Sequence, residues 1–152
     1  MRSEDIKYVI IQAGGKGIRM GRYAENKPKC LVPVKGIPMI MNTIEKYKDK
    51  EIIIIADYKA DVLEAYLSNF CKYNFTVCQT TEQGTAGGLG KVVDSIPDDE
   101  PFILTWADLF FEEIPEFEFN KDLLVGLSNT FKCRWKLENN KFVNEASTEV
   151  GV

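Results

Sequence analysis

The stretch Tyr8–Met41 reads YVIIQAGGKGIRMGRYAENKPKCLVPVKGIPMIM, and its pattern decides the fold. Tyr8, Val9, Ile10 and Ile11 form the apolar, β-branched run expected of a strand buried on both faces. Gly14, Gly15 and Gly17 follow at once, then basic residues, then Pro28, Pro33 and Pro38. A buried strand that opens into a glycine-rich basic loop suits phosphate binding. Glycines let backbone N–H groups approach oxyanions, and the cations neutralise their charge.

Charge sharpens this reading. The chain carries 19 basic against 23 acidic residues and no histidine. Between Lys16 and Lys35, however, Lys16, Arg19, Arg22, Lys27, Lys29 and Lys35 face only Glu25. Such a local field draws a small polyanion to one site, whereas a nucleic-acid binder is basic over a wider face. No apolar run approaches the roughly 18–20 residues that cross a bilayer, and MRSEDIK lacks the apolar core of a secretory signal. Cys30, Cys71, Cys78 and Cys133 are widely spaced, with no C-x-x-C pair. They read as reduced packing residues of a cytoplasmic protein.

Further along, Pro38 opens an apolar-periodic segment, Met39, Ile40, Ile44 and Tyr47, that predicts a helix. Glu51–Ala56 predicts a second buried strand, ended by Asp57, which reads as a loop residue. A helix follows from Lys59 to about Phe70, with Val62, Leu63, Tyr66, Leu67 and Phe70 on one face. Phe75–Gln79 is a third strand. Thr85 to about Ser95 is a third helix burying Leu89, Val92 and Val93, and Pro101–Thr105 is a fourth strand with Asp108 just beyond it. This alternation predicts an α/β fold, a mainly parallel sheet covered by helices on both faces. Asp122–Leu127 reads as one more strand, and Thr130–Glu145 as a hairpin turning at Asn139-Asn140. The 152 residues suit one domain, and the apolar pattern at Val150-Gly151-Val152 has the look of a truncation on the C-terminal side. Apolar surface left there would leave room for a homo-oligomer.

Ligands of open parallel sheets sit at the carboxyl ends of the strands. Four features fall there. The glycines suit triphosphate, with Arg19 as a charged fork on its terminal groups; the alternative is a plain tight turn. The loop is neither a dinucleotide fingerprint, since the glycine after Gly17 is Gly21, nor a P-loop, since no Gly-Lys-Ser/Thr occurs. Lys29 follows Pro28 on a stiffened segment and suits a cation between two phosphates; a solvated surface lysine is the alternative, and Lys27 competes. Gln79 ends a strand with an amide able to read a base edge, and Gly84 would let base or ribose lie against backbone. Asp108, a carboxylate at a strand mouth, suits magnesium, which takes one or two carboxylates plus water and substrate phosphates; a turn-capping aspartate is the alternative.

AGGKGIRM followed by NKPKCLVPVKGIPM resembles the signature of the sugar-phosphate nucleotidyltransferases, A-G-G/A-x-G-x-R-L/M and then P-K-x-L-x-P-v-x-G-x-P. The resemblance implies a three-layer, Rossmann-like nucleotide-diphospho-sugar transferase fold. It implies an enzyme that condenses a nucleoside triphosphate with a sugar 1-phosphate, magnesium-dependent, for polysaccharide or glycolipid synthesis. It places Arg19 and Lys29 as catalytic, Asp108 on Mg2+, and Gln12, Ala13, Gly14, Gly15, Gly17, Gln79, Gly84 and Thr85 on the nucleotide. Nucleic acid and membrane are not expected partners. Gln12 and the WAD around Asp108 depart from the family pattern, and Glu145-Ala146-Ser147 does not match its Glu-Lys-Pro segment. A second metal aspartate and most of the sugar pocket lie further along in the family. GIRMGR is also similar to the molybdenum-cofactor guanylyltransferases, and a non-catalytic nucleotide-binding scaffold is the other alternative.

Overall fold

A computed structural model of the chain describes residues 2–81, 84–114, 116–118, 123–126, 135–139 and 141–144. Two units are present, Met1–Phe119 and Asn120–Val152. In the first, β1 (Tyr8–Gln12) leads into a long segment with 3-10 turns at Ile18–Ala24 and Lys29–Leu31. A small ribbon follows, β2 (Pro33–Val34) and β3 (Ile37–Pro38). Lys35 and Gly36 join them with φ of 52° and 83°, the pair of positive values that a two-residue hairpin loop demands. Then come α1 (Met39–Lys46), β4 (Glu51–Ala56), α2 (Ala60–Phe70), β5 (Phe75–Gln79), α3 (Gly84–Val93) and β6 (Phe102–Trp106).

The four long strands form one parallel sheet in the order β5-β4-β1-β6. Strand parity sends Val9, Ile11, Ile52 and Ile54 to one face, where Ile40 and Ile44 of α1 and Leu63 and Leu67 of α2 cover them. Tyr8, Ile10 and Ile55 point the other way, onto Val92 of α3 and Ile96. Helices on both faces explain why β1 carries no polar alternation. The architecture is the expected three-layer α/β/α. After β1 the chain adds strands outward through β4 to β5, then returns to place β6 on the far side of β1. The strand order therefore reverses at β1, and its carboxyl end opens into the crevice.

Some expectations need correction. Phe70 is exposed, its ring tilted 34° against Tyr66 with centroids 4.8 Å apart, and Val93 is exposed too. Both are the last residues of their helices, where the apolar stripe overruns the sheet beneath it. Residues 123–126 of the expected fifth strand lie in no strand, and Leu123, Leu124 and Val125 are exposed; a strand needs a ladder partner, and an apolar run alone does not supply one. In the second unit, β7 (Trp135–Glu138) pairs antiparallel with β8 (Lys141–Asn144). Asn139 has φ 49°, as the hairpin reading at Asn139-Asn140 requires. Asn140 itself, Thr130–Arg134 and Glu145 to the end lie outside the described residues.

Close packing makes two predictions. A Cβ on Gly88 would come within 2.7 Å of Ile55 Cγ2, while one on Gly90 would meet nothing. Gly88→Ala should therefore cost about 1–3 kcal/mol through overpacking, and Gly90→Ala should gain up to about 1 kcal/mol of helix propensity. Urea unfolding compares them; equal midpoints would mean that α3 does not rest on Ile55. Burial, with the Asp108 carboxylate adding to it, pushes the Cys30 thiol from 9.0 up to about 12. An unfolded chain ionises this thiol first, so its contribution is whole below pH 9 and drains away as pH climbs toward 12. Cys30→Ala should flatten part of that alkaline loss, read as unfolding free energy on either side of pH 9.

Candidate functional site

The sheet stays zipped one residue beyond its strands. Ala13 N–H donates to Ile55 O at 2.8 Å, Thr80 N–H to Ala56 O at 2.8 Å, and Ala107 N–H to Gln12 O at 3.0 Å. After those bonds the chain peels away, so Gly14, Asp57 and Asp108 are each the first residue released from the rim. They line one cleft of about 260 Å³. From β1 it takes Gln12, Ala13, Gly14 and Gly15; from β4 and β5, Asp57 and Thr80; from β6, Trp106, Ala107 and Asp108. Lys29 and Cys30 close it from the 3-10 turn.

Two glycines are fixed by close approach. A Cβ on Gly14 would lie 3.2 Å from Asp57 Cβ and 3.7 Å from Gln12 Nε2. Gly17 has φ 64°, and a Cβ there would sit 2.9 Å from Lys29 Cβ and 3.1 Å from Ala24 Cβ. The loop thus lies directly on the lysine stem, in a backbone region that disfavours side chains. Pro28 is fully buried, and Cys30 and Leu31 beside Lys29 are buried. These anchors hold Lys29 as the one charged residue of that turn at the cleft.

Lys29 Nζ donates to Asp108 Oδ2, with the two side chains 37% and 35% exposed. An ion pair this open to water contributes about 0–1 kcal/mol, so it holds two charges near one another without locking them. Gln12 Oε1 is buried and has no hydrogen-bond partner among the described residues. Cys30 remains a neutral thiol at physiological pH, a packing residue and not a nucleophile.

The site residues read from sequence divide into groups. Gln12, Ala13, Gly14, Gly15, Lys29 and Asp108 meet in the cleft, and Gly17 supports it from behind Lys29. Arg19 lies in the Ile18–Ala24 turn, exposed and outside the cleft lining. Gln79 ends β5 exposed, and the next residue, Thr80, lines the cleft in its stead. Gly84 and Thr85 begin α3. Sequence reasoning took Asp57 for a loop residue and gave no place to Thr80. Asp57 had the same signal as Asp108, a carboxylate straight after a buried strand. Among the described residues no group of three or more metal-ligating side chains occurs, and no helix is long and apolar enough to cross a membrane.

Over 108 residues the chain is 34% identical to the bifunctional protein GlmU of Methanocaldococcus jannaschii, taking in 68% of this chain and 25% of GlmU. It is 27% identical over 126 residues to the glucose-1-phosphate cytidylyltransferase of Salmonella typhimurium, 65% of this chain and 49% of that protein. The structure of HddC from Yersinia pseudotuberculosis complexed with GMP-PN matches with a TM-score of 0.57 at 26% identity, over 68% of this chain and 48% of HddC. The chain thus spans from a quarter to about half of the length of these relatives. Residues 9–114 match the family model described as a MobA-like NTP transferase domain. That match takes in the four-stranded sheet from its second residue on and every residue of the cleft, and the chain belongs to the MobA-like NTP transferase domain family.

Proposed function

We propose that this chain is the nucleotide-binding part of a nucleotidyltransferase that acts on a sugar 1-phosphate. The observation that carries the reading is the glycine loop and the Lys29–Asp108 pair on one rim of one sheet. Relatives whose names specify a sugar 1-phosphate and a nucleotide support it. In the reaction, a phosphate oxygen of the sugar 1-phosphate attacks the α-phosphorus of a nucleoside triphosphate. The bond from that phosphorus to the bridging oxygen breaks, and pyrophosphate leaves with the electron pair. No covalent enzyme intermediate is required, so a site with no histidine and a neutral cysteine is chemically sufficient.

The chain's own residues bind and neutralise. Backbone N–H groups of Gly14 and Gly15 face the phosphates, with no side chain in the way. Lys29 turns from Asp108 to the phosphates, an exchange made easy by the weakness of an exposed pair. Arg19 reaches the terminal phosphates from its exposed turn. Asp108 and the phosphates fit magnesium, an ion that commonly takes one or two carboxylates and completes its shell from water and substrate. When bound, that ion neutralises charge on the phosphoryl oxygens. Positioning and charge neutralisation supply the rate. Reduced cysteines and the use of a triphosphate suit the cytoplasm, and the product would be a nucleotide-activated sugar for polysaccharide or glycolipid synthesis.

The test joins binding to turnover. A triphosphate with magnesium at about 100 times its dissociation constant should add roughly 2.7 kcal/mol of stability, a rise in Tm of roughly 5–10 °C for a chain of this size. With sugar 1-phosphates present, pyrophosphate release should fall about 10²–10³-fold in Asp108→Ala and in Lys29→Ala. The ligand-free variants should stay within about 1 kcal/mol of the parent, because the pair they break is exposed. A chain that no triphosphate stabilises would overturn the reading. Binding without any pyrophosphate release would leave it a non-catalytic nucleotide-binding domain.

A further inference from the structure

Strand β5 forms one edge of the sheet, and among the described residues it pairs with β4 alone. The ladder fixes which of its backbone groups are used. Thr80 N–H donates to Ala56 O at 2.8 Å, and the main-chain groups of a strand alternate sides, so Cys78 and Thr76 also face β4. Phe75, Val77 and Gln79 then present their N–H and C=O groups outward, without a hydrogen-bond partner among the described residues. Such an edge is a template for another strand, and proteins that stay apart blunt it with lysine, proline or a bulge. The sequence FTVCQ carries no proline and no charge, and its register with β4 is unbroken. Phe75 and Val77 pack on the α1–α2 face and Cys78 on the α3 face, so an added strand would meet apolar neighbours on both. On the α3 side a groove of about 510 Å³, with Ile53, Thr76, Cys78 and Val92 in its lining, runs beside the edge.

We propose that β5 pairs antiparallel with β5 of a second copy of this chain, across a two-fold axis at Val77, joining two sheets into one. Antiparallel neighbours alternate between pairs that exchange two hydrogen bonds and pairs that exchange none. With Val77 opposite the partner's Val77, Phe75 meets the partner's Gln79, and every outward N–H and C=O of both strands is used. Any other register leaves some of them unpaired. A two-fold axis also sets residues near it against their own copies, which an uncharged strand tolerates and a charged one does not. Lys72 and Glu82 stand five positions before and after Val77 in the sequence, so the same register opposes a basic to an acidic residue at each end. The edge is short, five residues, and by itself buries less than the roughly 1,200 Å² of a stable dimer. The pairing is therefore weak and concentration-dependent. Because the paired strands run in opposite directions, the two clefts open at opposite rims of the joined sheet, and this inference is independent of the nucleotide reading.

Sedimentation equilibrium of the full chain, reduced and without nucleotide, should show monomer and dimer in exchange, with a dissociation constant on the order of 0.1 mM. Thr76→Lys places a charge at an exposed position beside the axis. It should raise that constant about tenfold or more, with helical content by circular dichroism unchanged. In the proposed register Thr76 lies opposite the partner's Cys78 in a pair without hydrogen bonds, their α-carbons about 4.5 Å apart, within the span of a disulfide. Thr76→Cys should therefore give a reducible covalent dimer on mild oxidation, and Thr76→Cys combined with Cys78→Ser should not. Exchange of the Val77 amide hydrogen should slow as protein concentration rises. A chain that stays monomeric up to about 1 mM, a dimer that survives Thr76→Lys, or a dimer that Thr76→Cys does not link would overturn the inference. A Val77 amide equally protected at every concentration would mean that another segment of this chain covers β5, and would overturn it too.

Discussion

The parallel ladders on both edges of β1 fix where every group of the cleft begins. Tyr8–Gln12 registers against Glu51–Ile55 on one side and Phe102–Trp106 on the other. Ile10 and Ile11 are fully buried on opposite faces, so the strand can slip neither along its neighbours nor out of the core without losing several kcal/mol of burial. Because the ladders end together, Gly14, Asp57 and Asp108 leave the sheet side by side. A rim that is level in this way turns three distant sequence positions into one surface.

On that surface, charge is divided by the strand order. The reversal at β1 brings β6, with Asp108, to one side of the glycine loop and β4, with Asp57, to the other. Lys29 reaches only one of the two carboxylates. Identical side chains at equivalent strand ends thus stand in different surroundings: Asp108 is paired with a cation, and Asp57 has no ion pair among the described residues. The ion pair has little intrinsic strength where it stands. It keeps a cation and a carboxylate side by side at the cleft without locking either.

Much of this was readable before any coordinates. The Tyr8–Ile11 run, the glycines and the prolines named the first strand, its loop and the stiffened lysine, because burial, backbone freedom and fixed φ are local properties. The place of Asp57 in the cleft was not readable, since it depends on which strands lie beside β4, and strand order is not local. Gln79 and Thr80 show the same limit at finer grain. A strand alternates its side chains every residue, so an error of one position exchanges an exposed amide for a cleft-lining hydroxyl. The apolar run at 123–126 failed for another reason: composition says that a segment can form a strand, and only a partner edge makes it one.

Core and site also meet in a single turn of chain. Cys30 and Leu31 are buried among the residues that pack α1 and α2 onto the sheet, while Lys29, one position earlier, faces the cleft. Gly17 presses on the stem of that lysine from above, at a distance no side chain would tolerate. The ammonium group is therefore placed by apolar burial on one side and by the absence of a Cβ on the other, with no polar contact needed to aim its stem. That arrangement leaves Nζ free to change its hydrogen-bond partner, because nothing that positions the stem of Lys29 depends on that bond.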